Sequence, residues 1–345
     1  MKRYRVAVIG AGGIARQSHL PALRDAPAVR ARVAVVAVVD SAPDVTPVDG
    51  IPLLTSRDQL RDAAPIDFID VCTPTASHLD LTLWGLEQGY HVVCEKPVAL
   101  TRAEADRIAA AAQARGRIVM PCHQHRYNPV WVRVKQWLAD GAIGNWHLAE
   151  LSVHRLMADP GRETGGEGEA PPWRATSAAG RGGVLLDHGT HLIYQLLDVA
   201  GPPRAVSAWT GRLRHHRYEV EDTASLRFEY PGRLVTMFLT WAARARESRI
   251  RFVGDAGSIE WLGDELRLER AGSVERHDCS AELEKAAYHR WFACLFESFV
   301  AALDRGDPAA TATPYLEDIR RVACVVEYAY EAARTGCSVA IPGDA

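Results

Sequence analysis

Lysine is scarce in this chain: Lys2, Lys96, Lys135 and Lys285 stand against 36 arginines. Arginine is written wherever a generic cation serves, so a lysine inside a chemically dense segment asks for a reason. An ammonium group is compact, and partial desolvation lowers its pKa enough for it to give or take a proton, which a guanidinium does not do. Charge excess of either sign is also missing. A net charge of −3 gives no bulk attraction for nucleic acid or an anionic membrane. No apolar run approaches the roughly 18 residues of a membrane span. The seven cysteines are odd in number and lack CxxC spacing, which points to free thiols in a reducing cytosol rather than a disulfide framework. Met1-Lys2-Arg3-Tyr4 leads straight into a strand-like segment and leaves no room for a secretory leader. These absences predict a soluble cytoplasmic protein. What remains is 48% hydrophobic and 24% charged, ordinary globular composition, in a length that suits two domains.

The first 120 residues alternate strand and helix. Arg5-Val6-Ala7-Val8-Ile9 is an apolar run that stops at Gly10-Ala11-Gly12-Gly13-Ile14-Ala15, after which Ile14, His19 and Leu23 take helical spacing. Val33 to Val39, Ile66 to Val71, His91 to Cys94 and Arg117 to Met120 read as further strands. Unbroken apolar runs of this kind suit strands buried on both faces of a parallel sheet. Ser77 to Gln88 reads as a helix, and Thr101-Arg102-Ala103-Glu104 as a capping box opening another. Such alternation implies a doubly wound α/β sheet. The GxGxxA segment, placed between strand and helix, lets the backbone approach a pyrophosphate at a positive helix N-terminus. Asp40 closes the second strand, where an acid accepts hydrogen bonds from the adenosine ribose hydroxyls and repels a 2′-phosphate. NAD is therefore expected rather than NADP.

From Trp146 onward the text is β-rich. Trp146 to Leu151, Ala205 to Thr210, Ala224 to Phe228 and Leu234 to Trp241 alternate, with Pro231-Gly232 as a turn, and Arg249 to Val253, Gly257 to Trp261 and Glu265 to Leu268 continue the style. An antiparallel sheet with one face covered by helices is expected, including helices at Tyr288 to Leu303 and Tyr315 to Arg334. The long irregular stretch Ala158 to Arg181 is expected to border the site as a lid or rim. After it comes Gly182-Gly183-Val184-Leu185-Leu186-Asp187-His188-Gly189-Thr190-His191. Asp187 and His191 are four apart and would share a helix face, where an acid can orient a titrating imidazole; a surface Asp–His pair without a role has the same spacing.

Taken as an ordered set, these segments resemble the glucose–fructose oxidoreductase / inositol dehydrogenase / rhizopine-catabolism (Gfo/Idh/MocA) family. The set is the glycine loop, Cys72-Thr73-Pro74 with His78, Glu95-Lys96-Pro97, Arg126-Tyr127-Asn128-Pro129, Gly183 to His191, and Glu221-Asp222-Thr223-Ala224. The resemblance implies a Rossmann NAD-binding domain at 1–122. An α+β domain at 123–345 follows, with an open, mostly antiparallel sheet that binds substrate and mediates homodimers or homotetramers. By motif position it implies that Gly10, Gly12, Gly13, Ile14 and Asp40 hold the dinucleotide, with Thr73, Pro74, His78, Glu95 and Lys96 beside it. His78 at a helix start also suits a capping role, and a cis bond is implied before Pro97.

Lys96, Asp187 and His191 become the catalytic group. His191 is read as the base for a secondary hydroxyl, Lys96 as hydrogen-bonding the reacting oxygen, and Asp187 as a substrate contact; the division of proton transfer between Lys96 and His191 stays open. Relatives often carry an acid where this chain has Tyr194, bearing either on substrate contacts or on packing. Cys122-His123-Gln124-His125 is unusually rich in histidine. On a strand His123 and His125 would share a face, offering a polyol contact or, with a third ligand, a metal site; the reading adopted is substrate contact and no metal. Arg126 is read as a structural ion-pair residue. The function implied is NAD-dependent oxidation or reduction at a secondary alcohol or ketone of a sugar, cyclitol or related polyol. The alternative is an NAD-dependent glycoside hydrolase that works by transient oxidation.

Overall fold

Short, largely apolar runs rich in valine form the first sheet. In the computed structural model, which describes residues 2–62, 65–157 and 172–343, β1 (Tyr4–Ile9), β2 (Val33–Val39), β3 (Leu53–Leu54), β4 (Phe68–Val71), β5 (His91–Cys94) and β6 (Val119–Pro121) lie in the order β3-β2-β1-β4-β5-β6. Every pairing in it is parallel. The strand order reverses between β1 and β4, so the loops after these strands open a crevice at the carboxyl edge, where doubly wound sheets bind ligands. α1 (Leu20–Asp25), α2 (Pro27–Arg32), α3 (His78–Glu87) and α4 (Arg102–Arg115) supply the crossovers. Thr101 caps α4, its Oγ1 accepting the Glu104 N–H at 3.2 Å, while Glu104 Oε2 accepts the Leu100 N–H at 2.8 Å, one residue before the N–H that a capping box uses. Gly116, left-handed at φ 57°, ends the helix.

The second sheet has nine strands. β7 (Trp146–Leu156), β8 (Ala205–Gly211), β9 (Thr223–Tyr230), β10 (Arg233–Thr240), β11 (Ala242–Gly254), β12 (Gly257–Leu262), β13 (Glu265–Arg270), β14 (Ser273–Asp278) and β15 (Val339–Ala340) run in the order β14-β13-β12-β11-β7-β10-β9-β8-β15. All pairs are antiparallel except β10 with β7. Alternation separates the faces: Val235, Met237 and Leu239 of β10 are buried, while Leu234, Thr236 and Phe238 are exposed. α5 (Pro129–Ala139) precedes β7 in the chain, and α6 (Thr190–Ala200) lies between β7 and β8. Asn128 caps α5 through the Val130 N–H; α5 and the last two strands were not anticipated from sequence, β14 being exposed almost throughout and β15 only two residues long.

The chain then returns to the first sheet. Two compact units result, one of residues 1–127 with 285–320, the other of 128–284 with 321–345. A single boundary after Cys122 does not describe them, because α7 (Tyr288–Asp304) packs into the first unit. Its Phe299 meets Phe68 edge-on at 4.9 Å, and its Asp304 pairs with Arg32 at 2.8 Å and accepts from the Tyr4 hydroxyl. The last helix, α8, spans Pro308–Thr335, starting seven residues before the Tyr315 expected, with Pro314 inside it. Residues 158–171, most of the stretch expected to rim the site, lie outside the described residues.

Candidate active site

At the crevice of the first unit the glycine loop turns sharply. Gly10 has φ +96°, and a Cβ there would stand 2.8 Å from the carbonyl carbon and oxygen of Cys72 at the end of β4. Only glycine permits that approach. At Gly12 a Cβ would meet nothing within 4 Å, and at Gly13 only the Gln17 amide at 3.8 Å. The backbone thus presents open space in front of the helical turn beginning at Ile14–Ala15, the cradle a diphosphate needs. Asp40 ties the loop together: Oδ2 accepts the Ala11 N–H at 2.8 Å and Oδ1 the Ala42 N–H at 3.0 Å. A carboxylate has about four lone-pair sites, so room is left for ribose hydroxyls. The residues present fit a bound NAD.

Lys96 follows β5 in a turn with a cis Lys96–Pro97 bond. Both sides of the turn are pinned. Glu95 Oε2 accepts the Lys96 N–H at 3.1 Å, and the buried His78 ring lies 2.8 Å from the Pro97 carbonyl through Nδ1 and 2.8 Å from the Thr73 carbonyl through Nε2. His78 therefore acts on this turn from inside the protein, while Thr73 Oγ1 accepts from Ser77 Oγ beside the exposed Pro74. Glu95 is turned inward as well. Its Oε1 lies 3.0 Å from His19 Nε2, and His19 Nδ1 is 2.9 Å from Asp70. Burial alone would pull the His19 pKa down, but the Asp70 charge and hydrogen bond, followed by those of Glu95, push it up to about 10. Glu95 is correspondingly lowered: burial works against this, and the His19 hydrogen bond and charge outweigh it.

The histidine-rich segment does not form a strand. β6 ends at Pro121, and Gln124–Tyr127 is a 3-10 turn, so His123 and His125 do not share a strand face. Buried His123 bonds Asp318 at 2.7 Å, and Arg126 grips the same carboxylate with both terminal nitrogens at 2.6 Å. Burial would raise Asp318; the His123 and Arg126 charges hold it well below the usual carboxylate range. Arg126 is the ion-pair residue expected. His125, half-buried, lies 3.0 Å from the Tyr288 hydroxyl and edge-on to Trp291.

In the second unit, Asp187 and His191 sit where Gly183 begins a helix. A Cβ on Gly183 would fall 1.9 Å from the Glu221 carbonyl oxygen, so the close approach requires glycine. Glu221 caps the helix start, accepting the Gly183 and Leu185 N–H groups at 3.0 and 3.2 Å and the Tyr330 hydroxyl at 2.8 Å. Burial raises its pKa against those bonds. The first turn, Leu185–Gly189, is π-helical and runs into α6, so four residues no longer span one α-helical turn between Asp187 and His191. Asp187 lies 3.6 Å from Arg174 Nε and 3.4 Å from His188 Nδ1. His188 in turn receives the Trp241 indole N–H at 3.0 Å. His191 Nδ1 is 2.9 Å from the hydroxyl of buried Tyr194.

Sequence reasoning passed over His19, Asp70 and the capping role of Glu221. The available signal was polarity out of place: Asp70 interrupts an apolar strand, and His19 occupies a core-facing helical position. Residues 4–123 match the oxidoreductase family with an NAD-binding Rossmann fold, and residues 131–260 match the Gfo/Idh/MocA C-terminal domain. D-apiose dehydrogenase of Paraburkholderia graminis is 33% identical over 284 residues, covering 81% of this chain and 71% of that protein. D-glucoside 3-dehydrogenase of Escherichia coli is 26% identical over 278 residues, covering 73% and 74%. Levoglucosan dehydrogenase, solved in complex with NADH and levoglucosan, has a TM-score of 0.82 at 20% identity, covering 99% of this chain and 100% of that one. With a glycine cradle, Asp40 and an NAD-binding Rossmann domain joined to this second domain, the chain belongs to the Gfo/Idh/MocA family of oxidoreductases.

Proposed function

We propose that this protein is an NAD-dependent dehydrogenase acting between a secondary alcohol and a ketone on a sugar, cyclitol or related polyol. The observation that carries the reading is the Lys96 turn at the carboxyl edge of the first sheet, held from one side by Glu95 and from the other by His78. Relatives named for D-apiose and D-glucoside oxidation support the polyol class. Gly10, Gly12, Gly13, Ile14 and Asp40 hold the dinucleotide, which when bound supplies the two-electron acceptor. His191 takes the hydroxyl proton, with Tyr194 fixing its ring. Lys96 donates a hydrogen bond to the reacting oxygen as alkoxide charge builds, worth most in a site that excludes water. Asp187 contacts a substrate hydroxyl, and His125 beside the Tyr288 and Trp291 rings offers a polar and aromatic surface to a polyol.

A cytoplasmic location agrees with seven cysteines among which no disulfide forms. No helix of the described residues is long and apolar enough to cross a membrane. The outward face of the second sheet, with Trp209 and Phe238 exposed, suits a homo-oligomer.

The test is the appearance of NADH absorbance when dialysed protein is mixed with NAD and a panel of inositols, aldoses and glycosides, with NADP in parallel. Accumulating NADH with one polyol class establishes the dehydrogenase. Glycoside cleavage without net NADH would replace it with the hydrolase, which none of the named relatives favours.

A further inference from the structure

We propose that His19 is a fixed imidazolium that clamps Asp70 to Glu95 and, through Glu95, acts as the positioning residue for Lys96. The charge follows from geometry. Both ring nitrogens face carboxylate oxygens, Nδ1 at 2.9 and 3.1 Å from Asp70 and Nε2 at 3.0 Å from Glu95. A neutral imidazole has one N–H and would point its lone pair at the second carboxylate; only the doubly protonated ring donates to both. Nothing competes from solvent, because His19 and Asp70 are fully buried. The Phe292 and Phe296 rings of α7 close the cluster at 4.6 and 5.9 Å. The neighbouring thiol of Cys122, 3.9 Å from Nε2, is held protonated by its own burial, as is that of Cys72. The raised His19 pKa agrees with this arrangement.

The clamp reaches Lys96 through one atom pair. Glu95 Oε1 faces His19 while Oε2 accepts the Lys96 N–H, so the carboxylate plane is fixed by the imidazolium and the lysine backbone is fixed by the carboxylate. His78 closes the other side at Pro97. Without the cation, two buried carboxylates would confront each other, one would take up a proton, and Glu95 would lose the partner that orients it.

That the clamp matters for turnover rests on the catalytic reading of Lys96; the clamp itself does not. Four lysines make the experiment tractable: reductive methylation with 13C-formaldehyde marks Lys2, Lys96, Lys135 and Lys285, and Lys96→Met assigns the signal. In His19→Gln the Lys96 methyl resonance is expected to shift, while the other three stay in place. An unmoved Lys96 signal would overturn the positioning role. In 15N-histidine-labelled protein the His19 ring is expected to carry protons on both nitrogens at pH about 8, well above the unperturbed value; a singly protonated ring there would overturn the fixed charge. Should His19→Gln not fold, Asp70→Asn keeps the ring and removes one carboxylate, and must lower the pH at which His19 loses its proton and move the Lys96 signal. Full turnover in Lys96→Met would refute the catalytic reading and leave both spectroscopic results standing.

Discussion

The Tyr194 hydroxyl lies 2.9 Å from Nδ1 of His191, on the same helix and fully buried. A phenol both donates and accepts, so it can serve either tautomer of the imidazole, but it lacks the charge with which a carboxylate would stabilise an imidazolium. Tyr194→Phe is expected to lower kcat/KM by about 2- to 10-fold, the value of one net hydrogen bond. The pH profile of kcat/KM on the responding polyol is the measurement.

Removing the proposed base or the proposed donor to the reacting oxygen costs more. Lys96→Met and His191→Ala are each expected to reduce kcat by about 10²- to 10⁴-fold while NADH binding persists. Lys96→Arg is expected to fail as well, since the larger planar guanidinium cannot place a donor where the compact ammonium does. Turnover within a few-fold of wild type in Lys96→Met or His191→Ala would sink the assignment.

Asp40 bonds the Ala11 and Ala42 N–H groups and is proposed to accept from the ribose. Asp40→Ala is expected to weaken NADH binding by about 10- to 100-fold, as for lost hydrogen bonds to a charged group, and to narrow the gap between NADH and NADPH. Parallel fluorescence titrations of the two cofactors decide it, and unchanged selectivity would remove Asp40 from that role.

Two glycines separate fold from site. Gly183→Ala sets a Cβ 1.9 Å from the Glu221 carbonyl oxygen and is expected to destabilise by about 1–3 kcal/mol, as overpacking does. Gly12→Ala meets no atom within 4 Å, so its melting temperature is expected to stay put while NADH affinity falls. Thermal melts with and without NADH distinguish the two.

Stability should fall on the alkaline side. His19 has a folded pKa of about 10 against about 6.5 unfolded, so its contribution is complete below pH about 6.5 and is lost as pH rises towards 10. One extra bound proton in the folded state gives a slope of about 1.4 kcal/mol per pH unit within that window. Denaturant titrations across it should show the decline in wild-type protein and a flatter profile in His19→Gln.

Whatever depends on neighbours along the chain was legible in the residues alone. The order β1, glycine loop, helical turn and β2 ending at Asp40 is set by hydrophobic period and by the φ that Gly10 must adopt. The Thr101 cap of α4 and the Pro231-Gly232 turn are local in the same sense. Tertiary structure decided the rest, because the partners are distant in sequence and carry no periodic signal. His19 meets Asp70 and Glu95 only when strands β4 and β5 lie side by side. His123 looked like a substrate contact until Asp318, 195 residues on, was brought against it by the chain's return to the first unit. The insertion of β7 between β10 and β11, parallel to one and antiparallel to the other, likewise follows from which faces must be buried together, and alternation within a strand does not say which strand lies beside it.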